Sequence, residues 1–309
     1  MAVTPGFDVV TGALGYTGRY IARALFARGR RVVTLTSHPD RPNPFGDRLR
    51  VEPLDFEHPA ALAAKMAGAD SLYNTYWIRF DRGPTTFAGT IENTTVLVRA
   101  AAAAGVRRIV HISVTNPSRA SPLPYYRGKA EVEDVIAGSG LSYAVVRPTV
   151  VFGRGDVLIN NIAWLLRRIP VFAVPGRGDY RLQPVFVEDL ARIALDAAAR
   201  SDPLVIAAAG PEVFAFDELV RLIARAVGSR ARIVHVRPWL ARATARLIGW
   251  AVHDVLLTRD ELAGLMANLL VSTQRPTGST RFTDWLAAHG DELGRAYASE
   301  LVRHFRRTT

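Results

Sequence analysis

The chain has 309 residues, of which 49% are hydrophobic and 22% are charged, and its formal net charge is +11. These values predict a folded globular protein of one or two domains with a large core. The absence of cysteine excludes disulfides, cysteine–zinc sites and thiol chemistry. No apolar run reaches the roughly 18 residues of a membrane-spanning helix. A strand-like run begins at Phe7, so we expect no signal peptide and a cytoplasmic location.

The positive charge is carried almost entirely by arginine, which is scattered along the chain. Because no recognition helix or basic arm is evident, we expect no nucleic-acid partner; anionic ligands or membrane surfaces remain alternatives to a solvated, arginine-rich surface. Lysine occurs only as Lys65 and Lys129. A lysine retained against this bias indicates a need for a compact point charge. The histidines have no metal-ligand spacing, so no metal site is predicted.

Apolar, β-rich runs alternate with helix-like runs over the first two thirds of the chain. Strands are predicted at residues 7–12, 31–36, 50–55, 71–77, 107–113 and 141–148, and helices at 16–29, 86–105 and 125–137. This alternation indicates right-handed βαβ units. The predicted fold class is therefore α/β, a doubly wound parallel sheet of the Rossmann type.

The regular alternation ends after Val151. Residues 154–182 are rich in Gly, Pro and Arg, residues 183–210 contain a strand end, a helix and a further strand, and the remainder is mainly helical. We therefore expect a Rossmann domain from residues 1–153, to which 183–210 return. Residues 154–182 and 211–309 are expected to form a smaller, mostly helical domain for a substrate or partner.

Three glycines follow the first predicted strand in the sequence TGALGYTG (11–18). Glycines at this spacing permit a tight turn and let backbone N–H groups approach a pyrophosphate at the start of the next helix. A purely structural turn is the alternative. The residues of this turn that we expect at a dinucleotide cofactor are Gly12, Leu14, Gly15, Tyr16, Thr17 and Gly18.

The end of the second strand bears on the choice between NAD and NADP. NAD sites commonly carry an acidic residue here for the ribose 2′-hydroxyl, whereas this strand ends in Thr36-Ser37-His38 and is followed by Arg41. We therefore favour NADP(H), with NAD(H) as the alternative that Asp40 would support. The candidate contacts to the adenosine half of the cofactor are Ser37, His38, Arg41, Asp55 and Phe56.

Five motifs occur in an order typical of one superfamily: TGALGYTG, LDF (54–56), VHIS (110–113), YYRGK (125–129) and RPTVVFG (147–153). They resemble atypical and extended short-chain dehydrogenases/reductases. The chain is similar to the NAD(P)H-binding, NAD-dependent epimerase/dehydratase-like proteins, in particular the branch that contains the NADPH-binding accessory subunit of respiratory complex I. The resemblance covers residues 7–200, and the C-terminal third matches loosely.

The resemblance implies further contacts. Residues 187–189 would join the sheet domain to the substrate domain, and residues 170–190 would close over the substrate, with a surface hairpin as the alternative. The implied cofactor contacts beyond the turn are Asn74, Thr75, Tyr76, Pro148, Thr149 and Val150. The implied substrate contacts are Arg177, Tyr180 and Arg181.

The family pattern Tyr-x-x-x-Lys falls on Tyr125 and Lys129, which share one helix face. Free tyrosine titrates near pH ~10, so an adjacent ammonium group is needed to lower the phenol pKa. Tyr125 would then exchange a proton with a substrate oxygen while Lys129 also holds the cofactor ribose. Tyr126 is the competing phenol, and either Ser113 or Thr115 is the expected third catalytic residue. Cofactor binding alone is the alternative role of the pair.

Other polar and apolar patterns have simpler interpretations. Glu133 is expected to be solvated and His111 to be a satisfied core histidine. In residues 239–257, apolar residues at helical spacing predict a face packed in the core, and peripheral membrane contact is the alternative. The residues of that face are Trp239, Leu240, Ala243, Leu247, Trp250 and Leu256.

Together these features favour an NADP(H)-dependent oxidoreductase acting on a small or lipid-like carbonyl or alcohol. A non-catalytic NADPH-binding sensor, or an assembly or accessory protein of a respiratory complex, is the first alternative. An NAD-dependent sugar epimerase or dehydratase is the second. A monomer and a homodimer are both compatible with the sequence.

Overall fold

The computed structural model describes residues 6–304. In chain order the strands are β1 (Phe7–Thr11), β2 (Arg31–Thr36), β3 (Leu49–Pro53), β4 (Ala69–Asn74), β5 (Arg108–Ile112), β6 (Ser142–Pro148), β7 (Val150–Phe152), β8 (Val171–Pro175), β9 (Arg181–Leu182), β10 (Pro184–Phe186), β11 (Leu204–Ala208), β12 (Phe214–Ala215) and β13 (Arg232–Val236). The helices are α1 (Tyr16–Ala27), α2 (Pro59–Met66), α3 (Phe87–Ala103), α4 (Pro124–Ala137), α5 (Leu158–Arg168), α6 (Val187–Ala198), α7 (Phe216–Ala226), α8 (Pro238–Val252), α9 (Arg259–Met266), α10 (Phe282–His289) and α11 (Glu300–His304).

Within the described residues, 6–148 and 187–208 form one compact unit, and 149–186 and 209–304 form a second. The first unit is a seven-stranded sheet in the order β11-β6-β5-β4-β1-β2-β3. Every neighbouring pair in it is parallel. The doubly wound α/β fold predicted from the sequence is therefore confirmed.

The central strands β1 and β5 are rich in β-branched residues, which favour extended backbone, although each also carries a charged residue. In β1 all residues after Phe7 are buried, and all five residues of β5 are buried. Such runs suit parallel strands that are covered by helices on both faces. The chain moves from one side of β1 to the other when it passes from β3 to β4, so the strand order reverses between β1 and β4. In sheets of this kind, ligands bind at the carboxyl ends of the strands at that point.

The second unit has its own hydrophobic core, in which aromatic rings pack edge to face around Phe152, Phe282 and Trp285. Three two-stranded sheets accompany its helices: β7 with β10, β8 with β13, and β9 with β12. No helix within residues 6–304 is both long enough and apolar enough to cross a bilayer. The expectation that the 239–257 face packs in a core is wrong for α8, whose largest apolar side chains are exposed.

A buried guanidinium ties the returning segment 187–208 to the sheet. Arg108 on β5 is 3% exposed. It donates to the carbonyl oxygens of Ala197 (2.9 Å) and Asp202 (3.0 Å) and to the hydroxyl of Ser142 (2.5 Å). Burial lowers the pKa of Arg108, because the charged form is removed from water. The three acceptors therefore have to offset the cost of desolvating this charge.

We predict that Arg108→Met lowers the free energy of unfolding by about 3 kcal/mol, because it removes three charge-assisted hydrogen bonds. The matched control is Arg107→Met, since the neighbouring Arg107 side chain is 74% exposed and an exposed ion pair contributes at most about 1 kcal/mol. Urea unfolding of both variants measures the difference. Equal losses would contradict a special role for Arg108.

Candidate cofactor and active site

The glycine turn sits between β1 and α1, at the point where the strand order reverses. Gly12 has a φ of +68° and donates its N–H to the carbonyl of Leu35 (2.8 Å), while the N–H of Gly15 bonds to the carbonyl of Gly12 (2.8 Å). A Cβ on Gly18 would lie 2.3 Å from the carbonyl oxygen of Gly12. Side chains at positions 12 and 18 are therefore incompatible with this tight strand-to-helix turn.

The first turn of α1 directly follows the glycine turn at the carboxyl end of β1. The helix starts after Gly15 without a side-chain cap, and its first turn contains no acidic residue. The N-terminal N–H groups of a helix attract anions through their partial positive charge. Together with the close approach of the glycine backbone, this arrangement fits the pyrophosphate of a pyridine nucleotide. Leu14, Tyr16 and Thr17 belong to the same turn.

The carboxyl end of β4 is joined to that of β1 by side-chain hydrogen bonds. The Thr11 hydroxyl donates to Oδ1 of Asn74 (3.1 Å) and accepts from the N–H groups of Thr75 (2.7 Å) and Tyr76 (3.1 Å). Nδ2 of Asn74 contacts Nδ1 of His111 at 3.1 Å. Asn74 is fully buried, so its side chain serves this internal network. Thr75 and Tyr76 lie at the sheet edge beside Gly12.

The candidates for the adenosine half of the cofactor follow β2 and β3. Ser37 is exposed and contacts Nδ1 of His38 at 3.1 Å, and Arg41 is half-buried. Asp55 accepts from His58 and from the N–H of Glu57, and the His58 contact lowers the pKa of this carboxyl. Phe56 packs against the Tyr76 ring. The Asp55 contacts are those of an ordinary turn around a carboxylate.

Tyr125 lies in the first turn of α4 within an aromatic cluster. Its ring meets the rings of Trp77 and Phe87 edge to face, at centroid distances of 6.0 and 6.1 Å. Trp77 approaches so closely that a Cβ on Gly128 would lie 3.0 Å from its indole. The cluster surrounds the half-buried phenol with apolar surface. The competing Tyr126 is only 6% exposed.

Lys129 is one turn further along α4 and is 2% exposed. Its ammonium donates to the carbonyl oxygen of Ile112 (2.9 Å), at the end of β5, and lies 4.5 Å from the centroid of the Trp77 ring. Burial lowers the pKa of Lys129 to about 7, against the opposing attraction of Glu133. Burial and the nearby Lys129 charge also lower the pKa of His111. Burial therefore makes the neutral form of each group easier to reach than it is in water.

Glu133 is not solvated, contrary to the sequence-based expectation. It is 8% exposed and accepts from the hydroxyl of Ser113 and from Arg147, whose nitrogens lie 2.5 and 3.1 Å from the carboxylate oxygens. The chain after β5 runs beside β6, since Ser113 and Thr115 donate their N–H groups to Val146 and Pro148. The hydroxyl of Ser113 is thus hydrogen-bonded to Glu133. Thr115, two residues later, is also buried.

The remaining predicted contacts fall in the second unit. Thr149 is buried, and Val150 pairs with Pro184 in the β7–β10 sheet. Tyr180 is 4% exposed and stacks on Phe216. Of the other two predicted substrate contacts, Arg177 forms an exposed ion pair with Asp179, and Arg181 is exposed on β9.

The sequence did not reveal the aromatic residues that pack against Tyr125. Trp77 precedes helix α3, and Phe87 is the first residue of that helix. Neither residue belongs to a recognised motif. Their signal was compositional: two large aromatic residues flank a Gly-Pro turn directly after a buried strand. Glu133 was also missed, although its spacing of four residues from Lys129 places both on one helix face.

Comparison with known proteins agrees with this geometry. Residues 12–154 match the family model described as NAD(P)H-binding. The chain is 26% identical over 284 residues to NADH dehydrogenase [ubiquinone] 1 alpha subcomplex subunit 9, mitochondrial, of Arabidopsis thaliana, covering 85% of this chain and 70% of the relative. It is 27% identical over 252 residues to the ceramide reductase of Caulobacter vibrioides, covering 80% of this chain and 78% of the relative.

Two further similarities concern other kinds of protein. An uncharacterized protein of Mycobacterium tuberculosis is 30% identical over 260 residues, and this chain spans only 27% of its length. A nucleoside-diphosphate-sugar epimerase of Staphylococcus aureus superposes with a TM-score of 0.69 at 18% identity, over 96% of this chain and 98% of that one. Residues 12–154 of this chain therefore resemble the NAD(P)H-binding family, and the chain shares the fold of the nucleoside-diphosphate-sugar epimerase.

Proposed function

We propose that this protein is an NADP(H)-dependent oxidoreductase that reduces or oxidises a lipid-like carbonyl or alcohol. The observation that carries the proposal is the position of Tyr125 and Lys129 on one face of α4, with Lys129 bonded to the end of β5. The carboxyl ends of the central strands are also where the glycine turn lies. A phenol, an amine and a dinucleotide-binding turn at one sheet edge support hydride chemistry.

In the reducing direction, the bound NADPH would supply a hydride to the carbonyl carbon. Tyr125 would give its phenolic proton to the carbonyl oxygen, so that the product is an alcohol and the phenolate is reprotonated from solvent. Lys129 would stabilise the phenolate by its positive charge. The aromatic rings of Trp77 and Phe87 lie against the ring of Tyr125 and would provide apolar surface for an acyl or alkyl chain.

The lipid-like substrate class rests on two features. The ceramide reductase of Caulobacter vibrioides aligns over most of both chains. The ring of Tyr125 lies among the aromatic rings of Trp77, Phe87 and Tyr126. The similarity to sugar-nucleotide epimerases concerns the fold.

A second candidate function is a non-catalytic NADPH-binding accessory protein of a respiratory complex. The similarity to subunit 9 of the NADH dehydrogenase alpha subcomplex favours it. So do the contacts of Lys129 and Ser113, which are both satisfied inside the protein by Ile112 and Glu133. In this role Lys129 would hold the cofactor and Tyr125 would have no chemical step.

The preference for NADP(H) rests on the end of β2. The strand ends at Thr36 without a carboxylate, and Ser37 and Arg41 follow at the surface. A guanidinium and a hydroxyl match a 2′-phosphate, whereas NAD sites use a carboxylate at this place.

We predict that Tyr125→Phe reduces turnover at least about 100-fold, because it removes the proton donor while keeping the ring. The measurement uses NADPH deuterated at the nicotinamide C4, incubated with the protein and a cell extract that includes membranes. Mass spectrometry identifies lipids that acquire deuterium. NADPH binding, followed by fluorescence titration, should stay unchanged.

The matched control is Tyr126→Phe, the neighbouring phenol on the same helix. It should label products at the wild-type rate. Full labelling by Tyr125→Phe would refute the catalytic assignment. No labelling by the wild type, with NADPH binding intact, would favour the accessory role.

We predict that Lys129 loses its proton near pH 7. The chain has only two lysines, so protein labelled with carbon-13 lysine gives two side-chain signals, and Lys65→Arg assigns them. A Lys129 signal that shows no midpoint near pH 7 would contradict the prediction.

The lowered pKa of Lys129 also makes the stability of the protein depend on pH. Above pH 7 the unfolded chain holds this proton more tightly than the folded chain, because the ordinary pKa is 10.5. The Lys129 contribution to stability therefore becomes more favourable as the pH rises above 7, by up to about 1.4 kcal/mol per pH unit. Urea unfolding of wild type and Lys129→Met should diverge with this sign, and parallel curves would contradict it.

We predict that Arg41→Ala weakens NADPH binding about 10-fold, a difference of about 1.4 kcal/mol, through the loss of one charged contact to the 2′-phosphate. NADH binding should not change, because NADH lacks that phosphate. Arg31→Ala, at the opposite end of β2, is the control and should affect neither. Calorimetric titration gives all six dissociation constants. Equal weakening of both cofactors by Arg41→Ala would contradict the assignment.

A further inference from the structure

The helix α8 presents large apolar side chains to solvent. Trp239 is 60% exposed, Leu240 39%, Leu247 68% and Trp250 79%. Among the residues of this helix only Ala241 and Gly249 are buried. Isolated exposed apolar residues are common on proteins, but a contiguous group of large ones marks an interaction surface.

These four side chains lie on one side of the helix. At about 100° per residue, Trp239, Trp250, Leu247 and Leu240 fall within an arc of about 100°. The small residues Ala241 and Gly249, which face the protein, lie on the opposite side. The exposed group is therefore a continuous stripe, and with a rise of 1.5 Å per residue the two tryptophans are about 16 Å apart along the axis.

The sequence that contains the stripe is strongly basic. Residues 219–253 contain seven arginines and no aspartate or glutamate. Arg242 and Arg246 follow each other along one border of the stripe, and Arg246 is exposed, as is Arg237 at the start of the helix. An apolar stripe with a cationic border complements a surface that is apolar inside and anionic outside.

A basic cavity lies beside the same border. It has a volume of about 390 Å³, and its lining includes the side chains of Arg242, Arg246 and Arg259. The one carboxylate in the lining, Asp254, is buried and accepts hydrogen bonds from the N–H groups of Glu300 and Leu301. Three arginine residues that line one cavity suit a phosphate. This cavity is therefore placed to take a lipid headgroup while the stripe enters the acyl layer.

We propose that α8 is a peripheral membrane-binding helix that lies flat on a bilayer containing anionic phospholipids. Trp239 and Trp250 enter the boundary between headgroups and acyl chains, where the amphipathic indole ring is stable. Arg242 and Arg246 reach the headgroup phosphates. The inference rests on α8 and its surroundings alone and does not depend on chemistry at Tyr125.

The test is co-sedimentation of the full chain with vesicles of phosphatidylcholine alone and of phosphatidylcholine mixed with phosphatidylglycerol. We expect binding to the mixed vesicles at low salt and release at high salt, because surface charges are screened. Trp239→Ala with Trp250→Ala should weaken binding about 10-fold or more, through the loss of buried ring area. Arg242→Gln with Arg246→Gln should remove the preference for anionic lipid.

The control is Val205→Thr, which alters an exposed apolar residue on β11 and should bind vesicles as the wild type does. Every variant should titrate with NADPH as the wild type does, which separates this test from the proposed enzymatic function. No binding to anionic vesicles at low salt would overturn the proposal. So would vesicle binding that the tryptophan variant retains. A self-association that the tryptophan variant abolishes, without lipid binding, would assign the stripe to a second copy of the chain.

Discussion

The hydroxyl of Thr11 fixes the geometry on which the cofactor edge depends. It is buried, accepts two backbone N–H groups from the segment after β4 and donates to Asn74. These bonds join the carboxyl ends of β1 and β4, the two strands between which the strand order reverses. The glycine turn begins at the next residue. Because a buried polar group without a partner is costly, this network holds the turn and the β4 edge in one arrangement.

The helix α4 is attached to the same edge by charged groups on one face. Lys129 bonds to the end of β5, and Glu133, one turn later, joins Ser113 and Arg147 on the ends of β5 and β6. Buried charges contribute stability only when their partners offset desolvation, so each group restricts where the helix can lie. Tyr125 is positioned by these anchors one turn away. The placement of the phenol is therefore a consequence of ion pairing further along its own helix.

The sequence predicted a doubly wound parallel sheet, with β1 to β6 and the helices α1, α3 and α4 in their observed order, because apolar runs and turn residues are local signals. It did not predict α2. It missed β9 and β12, which are two residues each and exist only through pairing with each other. It assigned Glu133 to solvent because the burial of a carboxylate depends on Arg147, which is distant in sequence. It assigned the stripe of α8 to the core because periodicity identifies an apolar face without saying what covers it.

Two polar ring nitrogens near Lys129 are buried. Nε1 of Trp77 and Nε2 of His111 are buried and have no hydrogen-bond partner among residues 6–304. Both rings lie near Lys129: the indole is under its ammonium, and the imidazole is close enough for that charge to depress its pKa. A buried polar group without a partner costs about 1–3 kcal/mol, and such groups are few in native proteins. The polar groups around Lys129 are therefore less fully hydrogen-bonded than those of the Thr11 network.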